Sequence, residues 1–161
     1  MAQAASDSAA APTIGCRVRI ALAQLAPTLG DVAVNANWHE ERIAEARGAG
    51  ADVIVFPELS LTGYYLRDIV PDVAMPADSP LLERLAAAAG PMALAVGFVE
   101  SASGDRYYNS AAWFENGRLA HVHRKVYLPT YGMFDERRYF AAGDRFRAFE
   151  SPALGRVGVL V

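Results

Sequence analysis

DVIVFPELSLTGYY, residues 52–65, decides the fold class. Its apolar run Val53 to Phe56 reads as a strand buried on both faces. Pro57 ends the run, and a carboxylate, Glu58, follows at once. Desolvation penalises an ionised group at the mouth of a buried strand. Either the strand has ended and Glu58 is solvated, or a buried carboxylate with a raised pKa is wanted there.

Elements on either side of this strand set the class. Upstream, Arg17 to Leu25 alternates Val18, Ile20 and Leu22 with polar or small residues and predicts another strand. Asn35 to Arg47 predicts a helix with Asn35 as N-cap, Trp38 and Ile43 turned inward, and Gly48 and Gly50 as the stop. Downstream, Ser79-Pro80 is an N-cap and first-turn pair opening a helix to Ala89, which Gly90-Pro91 ends. Met92 to Glu100 is a further strand. Strands alternating with helices predict an α/β sheet protein.

Asn116-Gly117 lies between two alternating runs, YYNSAAWFE and RLAHVHRK, and predicts a type I′ hairpin. Simple pairing then sets Glu115 opposite Arg118 and Tyr108 opposite Lys125. It also puts Lys125 on one face with His123, His121 and Leu119. Of the 15 Lys and Arg residues, Lys125 is the one lysine. Lysine offers a compact charge with a tunable pKa, and arginine offers neither. Like Glu58, it stands where a strand gives way to a loop. Residues 126–144, irregular and rich in aromatics, predict a structured functional loop, and Glu136 lies within it. Phe146 to Phe149 and Arg156 to Val161 read as two more short strands.

Composition excludes several classes. A net charge of −3 leaves no basic footprint for nucleic acid. No apolar run is long enough to span a bilayer. Cys16 is the single cysteine, so no internal disulfide forms, which agrees with a reducing compartment; a cytoplasmic protein is expected. Residues 1–16 lack the charged start and apolar centre of a secretory signal and are expected to be a disordered leader, with one domain over 17–161. His121 and His123 lack a third ligand at metal-binding spacing, and the glycines of GRVGVLV sit within a strand rather than opening a helix. No metal and no cofactor are expected.

Three blocks in order, FPELSLTGY, YYNSAAWFENG and HRKVYLPTYGMFDERRYF, resemble the nitrilase superfamily of carbon–nitrogen hydrolases. The third is most similar to the glutaminase domain of glutamine-dependent NAD synthetase and its stand-alone amidase relatives. The resemblance covers about residues 17–161 and implies a four-layer α-β-β-α sandwich, here only in part. It implies amide hydrolysis through a Glu–Lys–Cys triad and a thioester. Glu58 matches the general base, Lys125 the catalytic lysine, and Glu136 a second glutamate that positions lysine and substrate. Tyr64, Tyr131 and Phe134 match positions lining the substrate pocket. Read as residues alone, Glu136 has a rival role as a structural partner of Arg124, Arg137 or Arg138, and the three aromatics as packing groups. The family's nucleophilic cysteine directly follows a strand of the type RVGVLV, which here ends at Val161; Cys16 precedes the first strand and does not match it. The 161 residues by themselves are therefore expected not to run thioester chemistry. The resemblance further implies a small-molecule amide substrate and a homo-oligomer in the intact protein. The competing readings are a glutaminase domain feeding a synthetase and an inactive fragment or interaction module.

Overall fold

Five strands make one sheet in the order β1 (Ile20–Leu22), β2 (Val53–Val55), β3 (Ala93–Ala102), β4 (Arg106–Glu115), β5 (Arg118–Arg124). The structure is a computed structural model that describes residues 17–161; the expected leader and Cys16 lie outside the described residues. β1, β2 and β3 pair in parallel, and β3, β4 and β5 pair antiparallel. The C-terminal ends of β2 and β5 and the start of β4 therefore share one end of the sheet.

Helices α1 (Val32–Gly48) and α3 (Pro80–Ala89) cover one face, and the short α2 (Val70–Val73) follows the Glu58 loop. Ile54, Leu94, Val96 and Phe98 turn to the helical face and pack on Ile43, Leu82 and Leu85. Burying each such side chain contributes about 1.5–3 kcal/mol. The other face carries Val53, Ala93, Ala95 and Trp113, which meet Phe149 and Val157 of a separate hairpin, β6 (Ala148–Ser151) with β7 (Gly155–Gly158). The molecule is thus α/β, with helices on one side of the main sheet and a second, two-stranded layer on the other.

Four local expectations change. The cap of α1 is Asp31, whose Oδ1 accepts from Val34 N–H at 3.0 Å. Asn35 lies inside the helix, and its amide reaches Leu61 O at 3.0 Å and Thr28 O at 2.8 Å. Trp38 is half-buried, while Ile43 is fully inside. On β1 it is Ala21, with Ala23 and Leu25 beyond, that meets the helical core, leaving Ile20 56% and Leu22 78% exposed. Strand alternation places two sets on opposite faces without saying which face is covered.

The fourth change concerns register. Asn116 and Gly117 both have positive φ, 50° and 70°, as a type I′ turn requires, and Glu115 does pair with Arg118. A bulge at Trp113/Phe114 then shifts the partners, so that Trp113 faces His121 and Ser110 faces Arg124. Lys125 consequently lies opposite Asn109, to whose carbonyl its N–H donates at 2.8 Å, and not opposite Tyr108. Leu119 pairs with Phe114 and leaves the face of Lys125.

Candidate active site

β2 and β5 are separated by β3 and β4, about 14 Å across a flat sheet. Glu58 nevertheless reaches Lys125, because the loop after β2 crosses over β3. Phe56 N–H donates to Ala95 O at 3.0 Å and Leu61 N–H to Gly97 O at 3.1 Å. Between these bonds the chain lies directly on Gly97. A Cβ built there would stand 2.4 Å from Pro57 O and 2.5 Å from Leu59 N, so only glycine fits. Leu59, next to the carboxylate, has φ 47°, a left-handed conformation costing an L residue roughly 1–2 kcal/mol. Complete burial of its side chain holds it there.

A buried polar network fixes the same loop from beneath. Ser60 Oγ accepts from Gly97 N–H at 3.3 Å and lies 2.9 Å from His39 Nε2; His39 Nδ1 is 2.7 Å from Asn35 O. The His39 ring stacks on Phe56 at 4.0 Å. Burial pushes the His39 pKa down to about 4, so the ring is neutral at neutral pH.

Three of the six residues singled out in the sequence meet as an ionic cluster. Lys125 Nζ donates to Glu58 Oε1 at 2.7 Å and to Glu136 Oε1 at 2.9 Å. Glu136, in a 3-10 turn (Glu136–Arg138), is held by its backbone N–H to Pro129 O at 3.1 Å. Its partner is Lys125; Arg124 instead forms a two-toothed bridge to Glu100. Tyr64 joins the cluster by donating its hydroxyl to Glu136 Oε1. Phe134 packs edge-on to Tyr64 at 6.1 Å and to Tyr131 at 5.8 Å. Tyr131 is 72% exposed, and among the described residues no hydrogen bond joins its side chain to the ionic groups.

Electrostatics separates the roles. Burial alone would lower the Lys125 pKa, but the hydrogen bonds and charges of the two carboxylates outweigh it and hold the ammonium above its ordinary value. Lys125 is therefore a fixed cation and not a proton acceptor. Burial and then the bond to Glu136 push the Tyr64 hydroxyl up, so it remains a donor. Glu136 is 4% exposed, and its Oε2 is buried without a partner. The Glu58 side chain is 36% exposed, contrary to the buried carboxylate the sequence suggests. The loop crosses β3 on the face of Gly97, opposite the helices, and its carboxylate borders a cavity shared with Val159 to Val161. The accessible carboxylate is thus Glu58, and the sequestered one is Glu136.

Two cavities adjoin the cluster. One of about 360 Å³ is lined by Tyr64, Phe134, Glu136 and Tyr139. The other, about 260 Å³, lies between Glu58, Gly97, Ala111 and the stretch Val159 to Val161. His121 and His123 stand apart from both, stacked on Phe149 and Phe146, and no group of metal-ligating side chains occurs among the described residues.

Comparison with known proteins agrees with this architecture. The carbon-nitrogen hydrolase family matches residues 19–161. The chain belongs to that family. A glutamine-dependent NAD(+) synthetase of Thermotoga maritima is 39% identical over 131 residues, covering 80% of this chain and 22% of the relative. One from Acinetobacter baylyi is 35% identical over 144 residues, covering 89% and 26%. The chain thus spans about a quarter of the length of these curated relatives. Among solved structures, glutamine-dependent NAD+ synthetase from Acinetobacter baumannii superposes with TM-score 0.74 at 34% identity, covering 88% of this chain and 27% of that one. An amidase from Nesterenkonia sp. gives TM-score 0.76 at 24% identity, covering 91% and 56%. The fold is the nitrilase fold in part. Among the described residues no helix is long and apolar enough to cross a membrane.

Sequence reading missed Asn109, Gly97 and the His39–Ser60 pair. Asn109 was hidden by the bulge, which replaces Tyr108 with its neighbour opposite Lys125. Gly97 and His39 act through contacts distant in sequence, and no local pattern marks them.

Proposed function

We propose that the intact protein hydrolyses a small-molecule amide through an acyl-thioester, with Glu58 as general base and acid and Lys125 as the cation opposite the developing oxyanion. The observation that carries this reading is the pair of bonds from one ammonium to an accessible and a buried glutamate. Glu58 takes the thiol proton, the sulfur attacks the carbonyl carbon, and the C–N bond breaks as Glu58 returns the proton to the leaving ammonia. Water then attacks the thioester, giving its proton to Glu58, and the carboxylic acid and thiol are released. Lys125 stabilises the negative oxygen in both tetrahedral states. Glu136 and Tyr64 hold the ammonium in place, and Tyr64, Phe134 and Tyr131 line the approach. The thiol belongs to a cysteine directly after Val161, and the cavity shared by Glu58 and Val161 favours that placement. No cofactor enters the scheme. A homo-oligomer and a cytoplasmic site accompany this reading.

A second reading makes glutamine the amide and a synthetase domain the consumer of the ammonia. It is favoured by the NAD(+) synthetases that match at 35–39% identity. The test is the intact mass and C-terminal sequence of the native protein, followed by ammonia release from glutamine and from small amides. A mass well above 17.3 kDa with cysteine after Val161 and release from either substrate supports the scheme. Preference for glutamine selects the second reading. A native chain ending at Val161, with no release, leaves an inactive module.

A further inference from the structure

Glu58 has two carboxylate oxygens in different situations. Oε1 receives Lys125 Nζ at 2.7 Å and, in addition, Asn109 Nδ2 at 2.6 Å. No hydrogen bond to Oε2 is present among the described residues. Asn109 is 1% exposed, on β4 directly opposite Lys125, and its backbone carbonyl accepts the Lys125 N–H. One residue therefore touches both the base and the strand end that carries the cation. The orientation of its amide follows from chemistry: an ionised carboxylate only accepts, so the NH₂ must face Glu58. That orientation leaves Asn109 Oδ1 buried without a partner. A side chain selected for packing would not keep a buried carbonyl oxygen unpaired, because an apolar group of the same shape avoids that loss.

We propose that Asn109 is a positioning residue that saturates Glu58 Oε1 together with Lys125, so that Oε2 alone faces the reacting atoms and exchanges the proton. This rests on the assignment of Glu58 as base made above. Two donors on one oxygen fix the carboxylate plane, because rotation about the last side-chain bond would break both contacts. The charged and titratable groups around Glu58 are Lys125 after β5, Glu136 from the 3-10 turn and Tyr64 from the loop after β2; Asn109 is the neutral one among them.

The test uses the native full-length protein with Asn109→Leu and Asn109→Asp, both near in size to asparagine. Three readouts are taken: thermal midpoint, carboxyl-carbon NMR titration of Glu58, and the pH profile of kcat/KM for amide hydrolysis. Asn109→Leu is expected to keep or raise the thermal midpoint while lowering kcat/KM by about tenfold to a hundredfold. It should also move the Glu58 titration and the acidic limb of the profile upward together. Asn109→Asp should move both further, since a like charge then faces Oε1. An unmoved Glu58 titration in both variants, or a fall in midpoint that accounts for the whole activity loss, overturns the proposal. The NMR arm is independent of turnover. If the titration shifts but no amide is hydrolysed, or if Glu58→Gln hydrolyses it at the wild-type rate, the functional reading fails and the contact stands.

Discussion

Two loops deliver the two glutamates to Lys125, and they are built in opposite ways. Residues 56–63 carry Glu58 on a segment whose other side chains point into the protein: Leu59, Ser60, Leu61 and Thr62 are all wholly buried. Residues 126–143 carry Glu136 on a segment closed at its ends, with Gly143 N–H donating to Lys125 O at 2.8 Å. Its middle displays Tyr131 and Met133 to solvent. Each loop touches another backbone at one glycine, the first at Gly97 of β3 beneath it and the second at its own Gly143. A Cβ at Gly97 would meet Pro57 O at 2.4 Å, and one at Gly143 would meet Arg124 O at 2.3 Å. The first loop is fastened at every residue from Leu59 to Thr62, the second at Leu128, Glu136 and Phe140 with exposed residues between them. The difference teaches that Glu58 is placed by the packed side chains around it, while Tyr131 and Met133 stand on a part of the second loop that the core does not hold.

The most severe break in the comparison is loss of the cation both loops serve. Lys125→Arg in the native protein should lower turnover by on the order of a thousandfold, as removal of an oxyanion-stabilising donor does, with the far-ultraviolet spectrum unchanged. Retained turnover would remove Lys125 from the mechanism. Next is the contact under the first loop. Gly97→Ala forces the Glu58 loop off β3 and should cost about 3 kcal/mol or more in urea unfolding, by overpacking of a rigid backbone contact. A cost below about 1 kcal/mol would mean that the loop gives way, and its rigidity would be disproved.

The polar network beneath that loop gives a pH prediction. His39 has a folded-state pKa of about 4 against an ordinary value of 6.5. The unfolded chain therefore binds the extra proton first, and stability is lost as pH falls from 6.5 towards 4. At about 1.36 kcal/mol per unit, the full loss is about 3 kcal/mol, of which about 2 appear between pH 7 and pH 5. Urea midpoints at those two pH values should fall less in His39→Gln than in the wild type. Equal falls would show that the ring does not titrate with folding. The smallest effect belongs to the second loop. Tyr131→Ala should change stability by no more than about 0.5 kcal/mol and alter KM more than kcat. A large stability loss would erase the contrast between the loops.

Much of this was legible where the cause is local. The buried strand at Val53–Val55, the Ser79-Pro80 helix start and the type I′ turn at Asn116-Gly117 each follow from neighbouring residues. That Glu58, Lys125 and Glu136 belong together was legible from the family motifs, not from spacing, since 67 residues separate the first two. What stayed hidden depends on distant contacts. The bulge that sets Asn109 opposite Lys125 leaves no mark in the alternation of YYNSAAWFE. The crossing of the Glu58 loop over Gly97 and the bond from the Asn35 amide to Leu61 join segments far apart in the chain. Sequence periodicity carries none of these.

The most direct test of the whole account is the covalent intermediate. Native full-length protein would be mixed with amide substrate, quenched in acid within the first turnover, and weighed intact by mass spectrometry beside Glu58→Gln. The account predicts an acyl adduct on the cysteine after Val161 in the wild type, and none in Glu58→Gln although its fold is retained. An adduct formed at the wild-type rate in Glu58→Gln, or turnover with no adduct in either protein, would contradict it.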